Sequence, residues 1–445
     1  MEKAYLYRLL SSLSLGVICL SVFAQHEFDL NAEYRPRAEV RSGYSQPLAK
    51  DLSPDLLMMQ RVRLNAAYKS KLINARLSIQ DSRVFGEANQ KGAAVNKDVK
   101  APNLFLYEAW AELVFPKGIA FRIGRQALSY DDQRLLSVCN WNNTGSAHDL
   151  ALLTYRFNGF KADLGYAYNN DQSNPLTSDY DYGTTSFYKT MAYLWLSQRF
   201  GHSGWNISAI AVSTGFQETI KNEEGVESYQ NHYKYTYGGN VEFKKKDIPF
   251  SLYATAYGQS GETNKGVDLS AFMLALKLNY QIVKPLDITG GIDYFSGTSK
   301  DVGKKKSNTF TGLYGTNHRF NGAMDYWTST ALPTGGLMDL YLSARYKVCD
   351  QVTLLGSFHS FRLAKEMEIS SNKGLGNEID LDMTYKFCKI ATIQAGWSTY
   401  LTSDLTNVVR GVTGVASPTK DTDTRLAQWA YLSLTITPDF FTFKK

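Results

Sequence analysis

The chain has 445 residues, of which 44% are hydrophobic and 20% are charged, and its formal net charge is +6. This mild charge, without a basic stripe interleaved with aromatic residues, argues against a nucleic-acid partner. Aromatic residues make up 13% of the chain, and 29 residues are tyrosines. A tyrosine excess is typical of membrane β-barrels, because the ring contacts lipid while the hydroxyl reaches the headgroup layer.

The first residues have the features of a secretion signal. Lys3 and Arg8 precede an apolar run at 9–22, and Ala24 supplies the small residue expected before a cleavage site. Ile18, before Cys19, is too large for the usual lipoprotein signal. The sequence therefore predicts a signal peptide over 1–24 and one exported domain over 25–445. Beyond it no stretch reaches the roughly 18 apolar residues of a transmembrane helix, so strands must make any membrane crossing.

Segments of about ten to fifteen residues with period-two alternation recur along the mature chain, which is the length of a tilted membrane strand. Apolar and polar residues alternate in this way at 37–41, 161–168, 286–293 and 380–387. A soluble antiparallel sheet also alternates, so the pattern by itself does not decide the class.

The connections between these segments alternate between short and long. Short turns are predicted at 70–71, 116–118, 158–159, 201–204, 246–247, 284–285, 349–350 and 388–389. Long loops are predicted at 42–54, 87–102, 131–147, 171–184, 218–229, 260–266, 298–335, 365–376 and 403–424. This sorting predicts an all-β fold: a single transmembrane, antiparallel, up-and-down β-barrel of about 18 strands, with short periplasmic turns and long extracellular loops.

In such a barrel the apolar residues face lipid and the polar residues face the lumen. A lumen of about 18 strands is too wide to be filled by wall side chains, so it holds water unless loops plug it. The longest loop, 298–335, is the natural candidate to fold inward. We expect its later part, 310–327, to do so, and Lys300 and the lysines at 304–306 to stay in solvent.

Four segments resemble the alginate-export family of outer-membrane proteins. They are IGRQ at 123–126 continuing through Tyr130 and QRL at 133–135 to NWNNTG at 140–145, LYGTNHRF at 313–320 continuing to MDYW at 324–327, GLMD at 336–339 with LGNEID at 375–380, and the last strand from Trp429. Their order matches the family from the fifth strand to the C-terminus. Cys139 departs from the family pattern, as do Ala147-His148 and the two terminal lysines. The resemblance implies a pore that passes polysaccharides or anions.

Charged residues on the polar faces of the strands are the candidate substrate path. The predicted lumen residues are Arg35, Arg37, Arg41, Arg61, Arg63, Arg76, Arg122, Glu108, Glu112, Asp287, Asp293, Asp339, Asp380 and Asp382. We hypothesise that the early arginines form an arc that binds a polyanion weakly at several points, since the guanidinium group contacts carboxylates bidentately. The alternative is that arginines and glutamates only pair across neighbouring strands.

The loop motifs supply a second group of candidate residues. Amide and aromatic side chains either recognise sugars or pack one loop against another to form a constriction, and we favour loop packing. The predicted constriction residues are Arg134, Trp141, Asn142, Asn143, His318, Arg319, Phe320 and Asp325.

Catalytic and metal sites find little support in the sequence. Ser146, His148 and Asp149 are of catalytic types, but residues so close in sequence form no triad without folding back. Cys139, Cys349 and Cys388 have no zinc-site spacing. A disulfide between Cys349 and Cys388 is conceivable, although two unpaired thiols are the favoured interpretation.

The sequence therefore predicts a passive channel rather than an enzyme, in the bacterial outer membrane, for a hydrophilic and anionic polysaccharide or oligosaccharide. The alternatives are a general or structural porin without a dedicated polymer, and an enzyme or receptor that acts through its loops. We expect no cofactor. The expected partners are outer-membrane lipid and lipopolysaccharide, the anionic saccharide and the barrel-assembly machinery, while any further periplasmic partner is unknown.

Overall fold

The computed structural model describes residues 26–86, 104–170, 180, 182–185, 187–221, 224–225, 227–300, 305–368 and 371–444. The predicted signal peptide at 1–24, all of the predicted loop at 87–102 and most of the predicted loop at 171–184 lie outside these residues.

The described chain is almost entirely β-structure. Its strands are β1 Glu27–Ser42, β2 Asp55–Lys69, β3 Ile73–Val84, β4 Leu104–Phe115, β5 Ile119–Gln126, β6 His148–Phe157, β7 Phe160–Tyr168, β8 Thr190–Phe200, β9 Trp205–Lys221, β10 Glu227–Lys244, β11 Phe250–Glu262, β12 Asp268–Val283, β13 Leu286–Phe295, β14 Lys306–Ser307, β15 Leu337–Lys347, β16 Val352–Leu363, β17 Gly374–Cys388, β18 Ala391–Thr402, β19 Ala427–Ile436 and β20 Asp439–Lys444. The helices are α1 Tyr182–Thr185 and α2 Asp404–Arg410, with 3₁₀ turns at Pro116–Gly118 and Gly201–Ser203. None of the described helices is long and apolar enough to cross a membrane.

These strands close into an antiparallel barrel of 18 strands, as predicted. The two-residue strand β14 only adds to the edge of β12, and β20 continues β19. The first strand closes the sheet by pairing with both: Tyr34 lies opposite Ile436, and Glu27 lies opposite Lys444. Between them Pro438, which has no N–H to donate, interrupts the ladder. Its carbonyl still accepts a hydrogen bond from the Ala32 N–H at 3.1 Å.

The alternation has the orientation expected for a barrel in lipid. On β2, Leu64 is 43% exposed on the outer face, whereas Arg61 is fully buried on the inner face. On β17, Leu381 is exposed and Asp380 is buried. Because the barrel is closed, the backbone N–H and C=O groups of every strand have hydrogen-bond partners on the neighbouring strands, as the bilayer interior requires.

All eight predicted short turns lie at one end of the barrel, together with the start of β1 and the end of β20. We call this the short-turn end and the opposite one the long-loop end. The predicted loop at 218–229 was wrong: β9 runs to Lys221, β10 begins at Glu227, and Tyr229 pairs with Thr219. Threonine, isoleucine and tyrosine in this segment favour extended structure, so the hairpin continues past the predicted ends.

Two loops from the long-loop end fold into the lumen and pack together there. They are the 127–147 loop after β5 and the 296–336 loop after β13, and a parallel bridge joins Leu136 to Tyr314. Phe310, Met324 and Trp327 are at most 2% exposed, which confirms the expectation that 310–327 turns inward. We call the two loops together the plug. Their apolar side chains form one cluster with inward-facing aromatic residues of the wall.

Candidate functional site: the plugged lumen

The first two strands of the wall hold the 127–147 loop by its backbone. Arg35 donates to the carbonyl oxygens of Asn140 at 2.7 Å and Asn142 at 3.1 Å, and to the Asn143 side chain at 3.1 Å. Arg61 donates to the same two carbonyls and, at 2.9 Å, to Oδ1 of Asn140. Because a guanidinium group carries five donors, one side chain can bind several turns of a loop at once.

Two further arginines complete this attachment. Arg37 donates to the Trp141 carbonyl at 3.0 Å and lies over the indole ring, 4.2 Å from its centroid. Arg63 donates to Gln80 at 2.8 Å, and the Gln80 amide donates to the carbonyls of Asn143 and Thr144. We call Arg35, Arg37, Arg61 and Arg63 the anchor arginines.

Carboxylates balance the charge of the anchor arginines. Glu33 forms an ion pair with Arg61, and Glu39 pairs with Arg37 at 2.8 Å and with Arg41 at 2.8 Å. The four anchor arginines are at most 7% exposed. The predicted arginine arc therefore exists as a cluster on the wall, but its donors bind the plug rather than open lumen. This role could not be predicted from the sequence, since backbone carbonyl acceptors have no residue signature.

The predicted constriction residues meet between the two loops of the plug. Trp141 stacks on His318 with ring centroids 3.9 Å apart and an angle of 11° between the planes. His318 contacts Asp325 at 3.1 Å, and Arg134 lies over Phe320, 3.8 Å from the ring centroid. Loop packing, the favoured interpretation, is the role that these contacts support.

A second set of contacts joins the plug to other strands of the wall. Arg134 forms ion pairs at 2.8 Å with Asp132 of its own loop and with Asp293 of β13. Glu378 of β17 accepts a hydrogen bond from the Met324 N–H at 2.8 Å. The Trp327 indole donates to the Tyr400 hydroxyl at 2.8 Å. The plug is thus also held by β13, β17 and β18.

The later acidic residues occupy different surroundings. Asp339 is fully buried and contacts His359 at 2.9 Å, and Asp380 lies 3.8 Å from the other ring nitrogen of that histidine. Asp382 accepts from the Tyr431 hydroxyl at 2.8 Å. Asp287, near the short-turn end, is half-buried. These carboxylates line the same wall, but the buried ones serve contacts inside the protein.

Nearer the short-turn end the charged side chains pair across neighbouring strands and stay in contact with solvent. Arg76 pairs with Glu108 at 2.7 Å and Arg122 with Glu112 at 2.7 Å, and their side chains are 35% and 26% exposed. Arg122 also lies over Trp110, 3.9 Å from the ring centroid. Here the alternative interpretation, pairing between strands, describes the geometry.

Lys277 is one of the lumen residues that the sequence prediction missed. Lys277 lies on the inner face of β12, half-buried, with its ammonium group 5.4 Å from the Tyr253 ring centroid. It lies close enough to Arg319 of the plug for the two cations to repel each other. Among the described residues neither forms an ion pair with a carboxylate. A lysine within the apolar run LALKLNY was the available signal.

The remaining candidates are engaged elsewhere or isolated. His148 bonds the Tyr188 hydroxyl at 2.8 Å and Asp149 pairs with Arg125 at 2.6 Å, so the two are drawn apart. Cys139, Cys349 and Cys388 are all unpaired, so no disulfide joins the last two. In the part of the chain that the structure describes, no three histidine, cysteine or acidic side chains are grouped to hold a metal ion.

A closed barrel of 18 strands with apolar residues outside, polar residues inside and loops folded into the lumen defines an outer-membrane channel. The alginate export family model matches residues 26–401. The chain therefore belongs to the alginate export family, whose members are transport channels.

Solved structures show the same fold at low sequence identity. Acinetobacter baumannii OccAB1 superposes with a TM-score of 0.60 at 12% identity, covering 93% of this chain and 97% of that one. Pseudomonas aeruginosa OccK11 (OpdR) gives 0.57 at 12% identity, with 93% and 96% covered. The P. aeruginosa outer membrane protein OpdK gives 0.56 at 11% identity, with 94% and 99% covered. No curated protein sequence matches the chain.

Proposed function

We propose that this outer-membrane channel passes a hydrophilic, anionic polysaccharide or oligosaccharide by passive diffusion. The observation that carries the proposal is the pair of lumen cations Lys277 and Arg319. The anchor arginines and Arg134 are engaged by groups of the protein, whereas half-buried Lys277 and exposed Arg319 lie near each other and form no ion pair with a carboxylate among the described residues. Two neighbouring cations that face the lumen attract an anion.

The arrangement suits a solute that must enter and also leave. Asp132 and Asp293 lie near Lys277, although they pair with Arg134. These carboxylates limit how tightly an anion is held, and a channel needs binding that is weak enough for release. The family membership supports a saccharide as the solute. The anchor arginines, by contrast, contribute through the shape of the lumen.

Liposome swelling with solutes of matched size tests the proposal. Proteoliposomes are diluted into neutral maltooligosaccharides or into oligouronates of the same length, and the swelling rates are compared. We expect faster entry of the uronates, and loss of that preference in the double variant Lys277→Gln and Arg319→Gln. The control is Lys265→Gln with Lys305→Gln, which removes the same charge from exposed positions at the long-loop end.

The outcome that contradicts the proposal is sieving by size alone in the unmodified protein. That result would favour a general porin, and the occupation of the anchor arginines by the plug would agree with it. If the unmodified protein preferred uronates and the double variant kept that preference, the anionic solute would stand and Lys277 and Arg319 would not be its contacts.

A further inference from the structure

Exposed basic residues surround the mouth of the lumen at the short-turn end, which is the periplasmic end of such barrels. Each of the eight short turns carries or adjoins an exposed lysine or arginine. At the turns themselves these are Lys71, Lys117, Lys161, Arg199, Lys245, Lys246, Lys284, Lys347 and Lys389. The positive charge is therefore continuous around the rim and is not confined to one side.

Six basic residues at this end, on the turns or on the adjoining strand ends, occupy inward-facing positions. Lys69 lies on the same face of β2 as buried Arg61, and Lys386 lies on the same face of β17 as buried Asp380, because alternate residues share a face. The same argument places the other members, and the six together are called the basic collar. The basic collar consists of Lys69, Lys161, Arg199, Lys244, Arg345 and Lys386.

Acidic residues at this end neutralise the basic collar only in part. None of its six members forms an ion pair with a carboxylate in the described chain. Asp287 lies opposite Arg345 in the register of the sheet, yet no ion pair joins them. Glu27 lies opposite Lys69 in the register but forms its ion pair with Lys444. Asp350 pairs with Lys347, although it also lies close enough to Lys386 to attract it. Asp29 on β1, Glu242 on the inner face of β10, and exposed Asp247 and Asp439 also lie at this end.

The long-loop end lacks this bias. There, exposed lysines stand among exposed acids: Lys50 pairs with Asp423 at 2.7 Å, and Lys300 contacts Glu366 at 3.7 Å. The two mouths of the channel thus differ in charge. A positive mouth with low-dielectric walls raises the local concentration of anions and their rate of entry.

We propose that the basic collar is a capture site for a linear polyanion, a carboxylated polysaccharide presented from the periplasmic side. The proposal rests on the proposed function for the polymer class and adds the side of capture. Lysines at the tips of turns reach phospholipid headgroups as well. Residues of the collar face the lumen, and this position favours a solute over a membrane surface as the partner.

Regular spacing of charge matches the polymer to the collar. A polyuronate carries one carboxylate on each sugar, so several can contact different members of the collar together. Each contact between an exposed lysine and a carboxylate is weak. Many such contacts hold the chain by avidity and still let it slide. Binding of this kind falls steeply as salt rises, because exposed charges are screened.

Binding of an oligogalacturonate to the whole protein in a neutral detergent tests the proposal, with a neutral maltooligosaccharide of equal length as the comparison ligand. The collar variant carries Lys69→Gln, Lys161→Gln, Lys244→Gln and Lys386→Gln. The control variant carries Lys265→Gln, Lys305→Gln, Lys306→Gln and Lys365→Gln, which are exposed at the other end. Heat-dependent migration on gels establishes that each variant is a folded barrel.

At low salt, we expect the affinity for the uronate to fall about tenfold or more in the collar variant and to change little in the control variant. At high salt, the affinities of the two variants and the unmodified protein should become similar. In oriented planar bilayers, the rate of current block should fall only for uronate added at the periplasmic side. Replacing the four lysines by arginine should keep the binding. Equal losses of uronate affinity in the collar and control variants would overturn the proposal. So would a collar variant that keeps uronate binding but no longer binds vesicles of anionic phospholipid.

Failure of the capture site can be distinguished from failure of the proposed transport function. Collar-dependent binding without preferential uronate swelling would refute the proposed function and leave the capture site. Preferential swelling together with unchanged binding in the collar variant would keep the function and refute the capture site.

Discussion

The two halves of the lumen use the same residue types in opposite ways. In the long-loop half, Arg61 is fully buried and donates to loop carbonyls and Glu33. In the short-turn half, Arg122 pairs with Glu112 on the neighbouring strand, but 26% of its side chain remains exposed. The difference is the loop: where a loop covers an arginine, the arginine becomes part of a packed interior, and where none does, it remains part of a wet wall.

Energetics follow from this difference. Removing one partner of a buried ion pair leaves a charge without water or counter-ion, at a cost of about 3–5 kcal/mol. Removing one partner of an exposed pair typically costs less than about 1 kcal/mol. Substitutions of the same kind should therefore lower the free energy of unfolding much more in the long-loop half than in the short-turn half.

The largest effect is expected from Arg61→Ala in the long-loop half. The substitution removes the closer ion-pair partner of Glu33, which keeps only Arg35 at 3.9 Å, and it removes donors from the carbonyls of Asn140 and Asn142. The 127–147 loop therefore loses part of its attachment to the wall. We expect the free energy of unfolding to fall by about 3 kcal/mol and the single-channel current to become larger and noisier. Urea titration and bilayer recordings measure the two quantities. An unchanged, quiet current would contradict the role of the anchor arginines.

An intermediate effect is expected from Trp141→Ala, within the contact between the two loops. The indole packs against His318 and Arg37, so its loss leaves a cavity and costs about 3 kcal/mol or somewhat less, since the ring is only partly buried. The anchor arginines still hold the backbone, so the current should change less than in Arg61→Ala. Trp141→Phe is the matched control and should recover most of the stability. If Trp141→Ala were more conductive than Arg61→Ala, stacking rather than backbone anchoring would hold the plug.

A small effect is expected from Arg122→Gln in the short-turn half. The pair with Glu112 is exposed, so stability should change by less than about 1 kcal/mol. The lumen loses a positive charge while Glu112 remains, and reversal potentials in a salt gradient should shift slightly toward cations. Raising the salt concentration should erase that shift by screening. A loss of stability as large as that of Arg61→Ala would show that the two halves are not different in kind.

The smallest perturbation compares thiols that are already present. Cys349 and Cys388 are exposed at the short-turn end, whereas Cys139 lies within the plug. Burial raises the pKa of the Cys139 thiol, so less of it is thiolate at neutral pH, and thiolate is the reactive form. A maleimide should label the first two quickly and Cys139 slowly, as mass spectrometry of digested protein would show. In urea all three should react at similar rates, and fast labelling of Cys139 in the folded protein would mean that the plug is open.

The barrel was predictable from the sequence because its rules are local. Alternation such as that at 380–387 and short turns such as Asn158-Gly159 each appear within a few residues, and together they predicted the strand number and the sorting of turns and loops. The mistake at 218–229 arose where polar residues near Lys221 suggested a loop although the strands continue above the lipid.

The interior was only partly predictable because its contacts join distant segments. The aromatic and amide motifs around Trp141 and His318 were recognisable, and their mutual packing was the favoured interpretation. That Arg35 would bind the carbonyl of Asn140, 105 residues away in the chain, depends on the course of a loop and has no local signal. Lys277 was missed for another reason: a single charge in an apolar strand is easily taken as unimportant.

The interruption at Pro438 divides the closing edge of the barrel into two parts. Most of β1 is joined to β19, while its first residues, from Glu27 to Asn31, depend on the last segment, Asp439–Lys444. A chain ending at Pro438 would keep the pairing of β1 with β19 from Tyr34 to Ser42 and would lose the pairing of Glu27 to Asn31. The segment Asp439–Lys444 thus reinforces a barrel closure that β1 and β19 already make.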